Sequence, residues 1–120
     1  MFHISIDEEQ KLVEMQITGL IKPEEAVKAS VELKKTFLKF GPREAVLLID
    51  LVGFAPMSND VLPILRGMGR DVMTFFRKAA LIQEFDMQFQ GARKLIEPPP
   101  GMKLPSYRSR DEAIQYLIQA

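Results

Sequence analysis

Cysteine is absent from this chain of 120 residues. Its absence excludes a disulfide scaffold, a thiolate zinc site and a cysteine nucleophile. Histidine occurs once, as His3. A lone imidazole near a chain end builds neither a Ser-His-Asp triad nor a multi-histidine metal site. Net charge is lacking as well, since 16 basic and 16 acidic residues give a formal +0. No overall field draws such a chain to DNA, RNA or anionic lipid, and no nucleic-acid partner is expected. No apolar run approaches the ~20 residues of a membrane span, so no stable membrane insertion is expected. The opening Met1-Phe2-His3-Ile4-Ser5 has neither the basic region nor the long apolar stretch of a secretory signal. These absences point to a cytoplasmic protein. Rossmann, Walker, EF-hand, zinc and Gly-x-Ser-x-Gly patterns are missing too, so no cofactor and no metal are expected.

What remains is an ordinary globular composition, 47% hydrophobic, of a size that suits one domain spanning 1–120. Phe2, Ile4 and Ile6 alternate with His3 and Ser5, and Val13, Met15 and Ile17 alternate with Glu14, Gln16 and Thr18. Alternation of period two predicts two half-buried strands, joined as a hairpin by Asp7-Glu8-Glu9-Gln10. Pro23 suits a first helical position, followed by Glu24 and Glu25 where the helix dipole favours anions. Lys34, Lys35 and Lys39 lie toward the other end, and Gly41 is predicted to take a left-handed cap before Pro42. Ala26, Ser30, Leu33, Phe37 and Phe40 follow the spacing of one buried face.

Ala45 to Val52 is apolar except for Asp50, as in a central strand covered on both faces. The loop 53–60 follows it. A second helix is predicted from about 60 to 77, with Asp60 as N-cap, Ser58 as the competing cap, and a stripe of Val61, Leu65, Met68, Val72 and Phe76. Ala79 to Ile82 is a short strand. A third helix is placed between Asp86 and Ile96, stopped by Glu97-Pro98-Pro99-Pro100-Gly101. Met102 to Leu104 is read as a further strand, with Pro105 demanding a sheet edge or the strand's end. Ser109-Arg110-Asp111-Glu112 has the form of a capping box, opening a last helix whose apolar side is Ala113, Ile114, Leu117 and Ile118. The order β-β-α-β-α-β-α-β-α predicts an α/β fold with a mostly parallel sheet and an opening antiparallel hairpin.

This order, with Val46-Leu47-Leu48-Ile49-Asp50-Leu51-Val52-Gly53-Phe54, then Met57-Ser58-Asn59-Asp60, and the closing Tyr107-Arg108-Ser109-Arg110-Asp111-Glu112-Ala113-Ile114, resembles the STAS/SpoIIAA-like superfamily of bacterial anti-sigma-factor antagonists and their relatives. The resemblance covers nearly the whole chain. It implies a regulatory, non-catalytic domain that binds a protein partner. In regulatory members the loop carries Asp-Ser-Ser-Gly, and its second serine is phosphorylated. Without gaps, that pattern falls here on Ser58, Asn59, Asp60 and Val61. Asp60 stands at the phosphoacceptor position, where it supplies a fixed single negative charge in place of a removable charge of about −1.5 to −2.

The residues singled out for binding are Asp50, Phe54, Met57, Ser58, Asp60, Arg66 and Arg70. Asp50 ends the best strand, where ligands of open α/β sheets gather, and its plainer role is to accept hydrogen bonds from the following turn. Ser58 has no neighbouring base to activate it, which leaves helix capping or modification. Arg66, Arg70 and Arg77, with Lys78 beyond, form a basic stripe that is either a solvated face or a surface for an anionic partner. Gly67 and Gly69 each cost about 1 kcal/mol inside a helix, which close packing or a partner at the backbone would offset. Phe54, Met57 and Met68 belong to an apolar set wider than one sheet needs, consistent with a protein partner or a homodimer. The alternatives are a binder of a small apolar or amphipathic ligand between the sheet and the second helix, and a small enzyme using Asp50 as acid or base.

Overall fold

The computed structural model describes residues 1–19, 21–52, 63–64, 67, 74–82 and 103–119, with Phe37 described by its backbone alone. Among the described residues, five strands form one sheet in the order β1-β2-β3-β4-β5. They are β1 (Phe2–Asp7), β2 (Leu12–Ile17), β3 (Val46–Asp50), β4 (Lys78–Ile82) and β5 (Ser106–Tyr107). The first pair is antiparallel and every later pair parallel. Two helices are described, α1 (Pro23–Lys35) and α2 (Arg110–Ile118). The mixed sheet with its opening hairpin is the arrangement that the alternation and the buried run predict.

Period two sorts the side chains onto two faces. Val13, Met15, Ile17, Leu47, Ile49, Ala79 and Leu81 point to the α1 side, where Ala26, Leu33, Phe40, Phe76 and Leu104 complete the larger core. Leu12, Val46, Leu48, Ala80 and Ile82 point to the other side, under Ala113 and Leu117 of α2. Covering both faces explains why β3 reads as an unbroken apolar run.

Several boundaries differ from the sequence reading. Pro23 does open α1, but the α-helix ends at Lys35 and a 3-10 turn, Thr36–Leu38, follows. Its buried positions are Ala26, Ala29 and Leu33, with Ala29 taking the place expected for half-buried Ser30. Gly41 does not adopt positive φ; Arg43 does, at 64°. Instead, the Gly41 N–H donates to Glu44 Oε2 at 2.9 Å, and a Cβ at Gly41 would lie 2.8 Å from Glu44 Oε1. A Cβ at this position would push the flexible Glu44 carboxylate aside, a contact that a local helix-cap rule does not anticipate.

The second predicted helix does not reach 77. Pro63, Ile64 and Gly67 are helical, whereas Thr74 to Arg77 form a turn and bend, and Phe76 is fully buried from there. The last strand is Ser106–Tyr107 rather than 102–104. Pro105, with no N–H to give, stands before it and accepts from the Leu81 N–H at 2.9 Å. Ser109 caps α2 by accepting from the Glu112 N–H at 3.4 Å. Ile118 is half exposed, and Tyr116 packs in its stead. The predicted third helix lies outside the described residues.

Candidate functional site

The parallel strands deliver their carboxyl ends to one edge of the fold. Across that edge His3, Gln16, Asp50 and Ile82 stand in register on neighbouring strands, and all four side chains belong to the α2 face. One step inward come Ser5, Glu14, Leu48 and Ala80. Leu48 and Ala80 are covered, whereas His3, Ser5 and Gln16 are exposed. The result is a polar strip running from the open side of the sheet to the rim of α2.

Asp50 is half-buried, and one of its oxygens accepts from the Val52 N–H at 3.0 Å. Leu51 N–H donates in turn to Ile82 O at 2.9 Å. The chain leaving β3 is therefore held at two points before residue 53, and the turn-acceptor role read from the sequence is the one observed. His3 is an exposed residue of β1, as expected.

Arg110, the first residue of α2, reaches across to Glu14 of β2. Its Nη2 donates to Oε1 at 2.8 Å and its Nε to Oε1 and Oε2 at 3.2 and 3.4 Å. The Glu14 hydrogen bonds raise the Arg110 guanidinium further above its ordinary range, against a smaller opposing effect of burial. The charges of Glu14, Asp111 and Asp50 act in the same direction. This pair ties the start of α2 to β2 and sets the Arg110 charge within the field of Asp50. Sequence reasoning missed it because Glu14 and Arg110 lie 96 positions apart. The one available signal was Glu14, the only charged residue of β2.

The basic stripe resolves into two parts. Arg77 and Lys78 reach the carboxyl end of α2. Arg77 donates to Leu117 O and Gln119 O, both at 3.3 Å, and Lys78 Nζ to Tyr116 O and Gln119 O, both at 3.1 Å. Lys78 Nζ also sits 4.6 Å from the Tyr116 ring centre. Cations at the carboxyl end of a helix satisfy its orphan carbonyls and its dipole. Arg66 and Arg70, with Phe54, Met57, Ser58 and Asp60, lie outside the described residues, so Asp50 alone of the singled-out residues has a described environment. Gly67 is helical, and a Cβ there would meet nothing within 4 Å. Among the described residues, none packs closely on this glycine.

Among the described residues no cluster of three or more His, Asp or Glu side chains is arranged to hold a metal ion. No described helix is long and apolar enough to cross a membrane.

No protein-family model matches the chain, and no sequence match to a curated protein is found. Solved structures do match. A protein of the DUF3478 family with a SpoIIAA-like fold, from Shewanella loihica PV-4, superposes with a TM-score of 0.75 at 15% identity, over 98% of this chain and 92% of that one. An anti-sigma factor antagonist from Mycobacterium paratuberculosis superposes with a TM-score of 0.57 at 14% identity, over 99% of this chain and 96% of that one. Order of elements, mixed sheet and these superpositions agree: the chain folds as a STAS/SpoIIAA-like domain.

Proposed function

We propose that this is a non-catalytic, cytoplasmic interaction domain whose partner is a protein, docking where the chain leaves β3 and along the helix that contains Gly67. The observation that carries this reading is a helical glycine, Gly67, with no described residue within 4 Å of where its Cβ would stand. A helical glycine costs about 1 kcal/mol relative to alanine, and no described residue packs on it to offset that cost. A partner approaching the backbone closely gives it a use. Asp50, Ser58 and Asp60 would give the surface its polarity, Arg66 and Arg70 its positive charge, and Phe54 and Met57 its apolar contact. The likeness in fold to an anti-sigma factor antagonist supports the same choice. A permanent aspartate at position 60 makes the domain a constitutive binder rather than a phosphorylation switch.

The test pairs stability with binding. The protein is purified gently from its host, with the Gly67→Ala and Asp60→Arg variants beside it, and bound polypeptides are quantified per domain. Gly67→Ala is expected to stabilise the fold by about 0.8–1 kcal/mol and to lose partner, and Asp60→Arg to lose partner at unchanged stability. Full retention of partner by both variants refutes this surface.

A further inference from the structure

The strand β1 closes one edge of the sheet. Which of its backbone groups face outward follows from the bonds on its inner side. Met1 and Thr18 exchange both hydrogen bonds, the Thr18 N–H donating to Met1 O at 2.9 Å and the Met1 amino group donating to Thr18 O. The register then makes Met1, His3, Ser5 and Asp7 the residues bonded toward β2. The N–H and C=O groups of Phe2, Ile4 and Ile6 face away from the sheet, and no described strand pairs with them. Proteins blunt such edges with proline, lysine or a bulge. Phe2–Asp7 has none of these, and its register runs unbroken.

The side chains of this strand are divided as cleanly. Phe2, Ile4 and Ile6 are half-buried against the α1 core, and His3, Ser5 and Asp7 are exposed on the other face. Alongside lies an open groove of about 350 Å³ between β1 and α1. Phe2, Ile4 and Ala29 give it apolar walls, and Glu25, Lys28 and Glu32 give it charge.

We propose that a second copy of this chain adds its own β1 antiparallel to this edge, about a two-fold axis at Ser5, joining the two sheets into one. Because only Phe2, Ile4 and Ile6 offer outward bonds, a two-fold pair must set even positions opposite even positions. An axis at Ile4 pairs residues 2–6, and an axis at Ser5 pairs residues 3–7. Only the axis at Ser5 sets His3 opposite Asp7 of the second copy, and symmetry makes that contact twice. It also sets Ile4 opposite Ile6 of the second copy, so that apolar side chains enter the groove beside α1. An extended peptide of unrelated sequence would gain the main-chain bonds without this repeated imidazole–carboxylate match, which is why the occupant is a second copy.

The absence of cysteine from the chain makes the register directly testable. Ser5 faces its own symmetry mate in a pair without mutual hydrogen bonds, where Cα atoms lie about 4.5 Å apart, within reach of a disulfide. His3 lies four positions from its mate, roughly 13 Å along the strand and out of reach. Ser5→Cys and His3→Cys change exposed residues on the same face of the same strand, so both variants retain the fold. Under oxidised glutathione Ser5→Cys is expected to form a covalent dimer at least roughly tenfold faster than His3→Cys, because one pair is held together and the other apart. The unaltered chain is expected to sediment as a dimer at high micromolar concentration and to dissociate on dilution. Equal cross-linking rates, faster cross-linking of His3→Cys, or an unaltered chain that stays monomeric at high concentration would each overturn the proposal.

Discussion

Replacing Lys78 by methionine removes a charge while keeping most of the side chain's stem, and its cost follows from what the ammonium touches. Two carbonyls, Tyr116 O and Gln119 O, each accept from it at 3.1 Å. Both lie at the carboxyl end of α2, so water replaces the lost donor there and the full penalty of a buried orphan is not incurred. A cation at a helix carboxyl terminus contributes about 0.3–1 kcal/mol when exposed and up to ~2 when partly buried. The half-buried position of Lys78 places it between these limits. The Tyr116 ring, 4.6 Å away, adds about 0.5–1 kcal/mol. Lys78→Met is therefore expected to destabilise the fold by about 1.5–2.5 kcal/mol, or roughly 6–10 °C in Tm for a domain of this size. Urea unfolding followed by circular dichroism gives the number, with an unchanged slope as the check that only stability moved. Repeating it in 1 M salt is expected to shrink the difference. A loss under about 0.5 kcal/mol, the scale of a free surface lysine, would show that these contacts do not hold α2 and return Lys78 to the pool of partner-binding charges.

Other outcomes follow from single contacts. Leu117→Ala, at a fully buried position, is expected to cost about 2–5 kcal/mol in the same assay. Ser109→Ala should cost about 1 kcal/mol through loss of the α2 cap. Gly41→Ala displaces the Glu44 carboxylate, so it destabilises the wild type but becomes neutral or stabilising in a Glu44→Ala background, as a double-mutant cycle would show. Partial burial, then the neighbouring Tyr116 and Glu112, raise the Tyr107 phenol above its ordinary value of 10.0. The folded state therefore keeps that proton longer than the unfolded state does. The stability this contributes is complete below pH 10 and is lost as pH rises through the folded value. Ultraviolet titration should show a phenol ionising late, and Tyr107→Phe should abolish that phase.

The elements that stand on local repetition were legible in the sequence. Alternation in Phe2–Ile6 and Val13–Ile17 specifies both strands and which face each side chain takes, since a slip of one residue would turn the apolar set to water. Pro23 with Glu24 and Glu25 marks the start of α1, and Ser109 marks that of α2, because capping chemistry is local. Features made by distant residues were hidden. Arg110 finds Glu14 only after the sheet has formed, and nothing near either residue announces the other. Arg77 looked like the end of a helical stripe, with Lys78 just beyond, because the spacing continues through Thr74 to Arg77, where the chain turns and bends. Gly41 looked like a cap, yet its role is set by the Glu44 carboxylate folding back onto it. At the candidate site, Asp50 was placed correctly by its position at the end of a buried run, and its turn bond followed from its chemistry. That no described residue packs on Gly67 depends on tertiary neighbours, which spacing does not encode.

The claim that this domain serves a protein partner is tested most directly by native mass spectrometry of the chain isolated gently from its host, beside Gly67→Ala. The natural chain is expected to give a complex with a different polypeptide at fixed stoichiometry, and Gly67→Ala to lose it while unfolding later than the natural chain does. A natural chain that carries only a small molecule, or flies as itself alone, would contradict the claim.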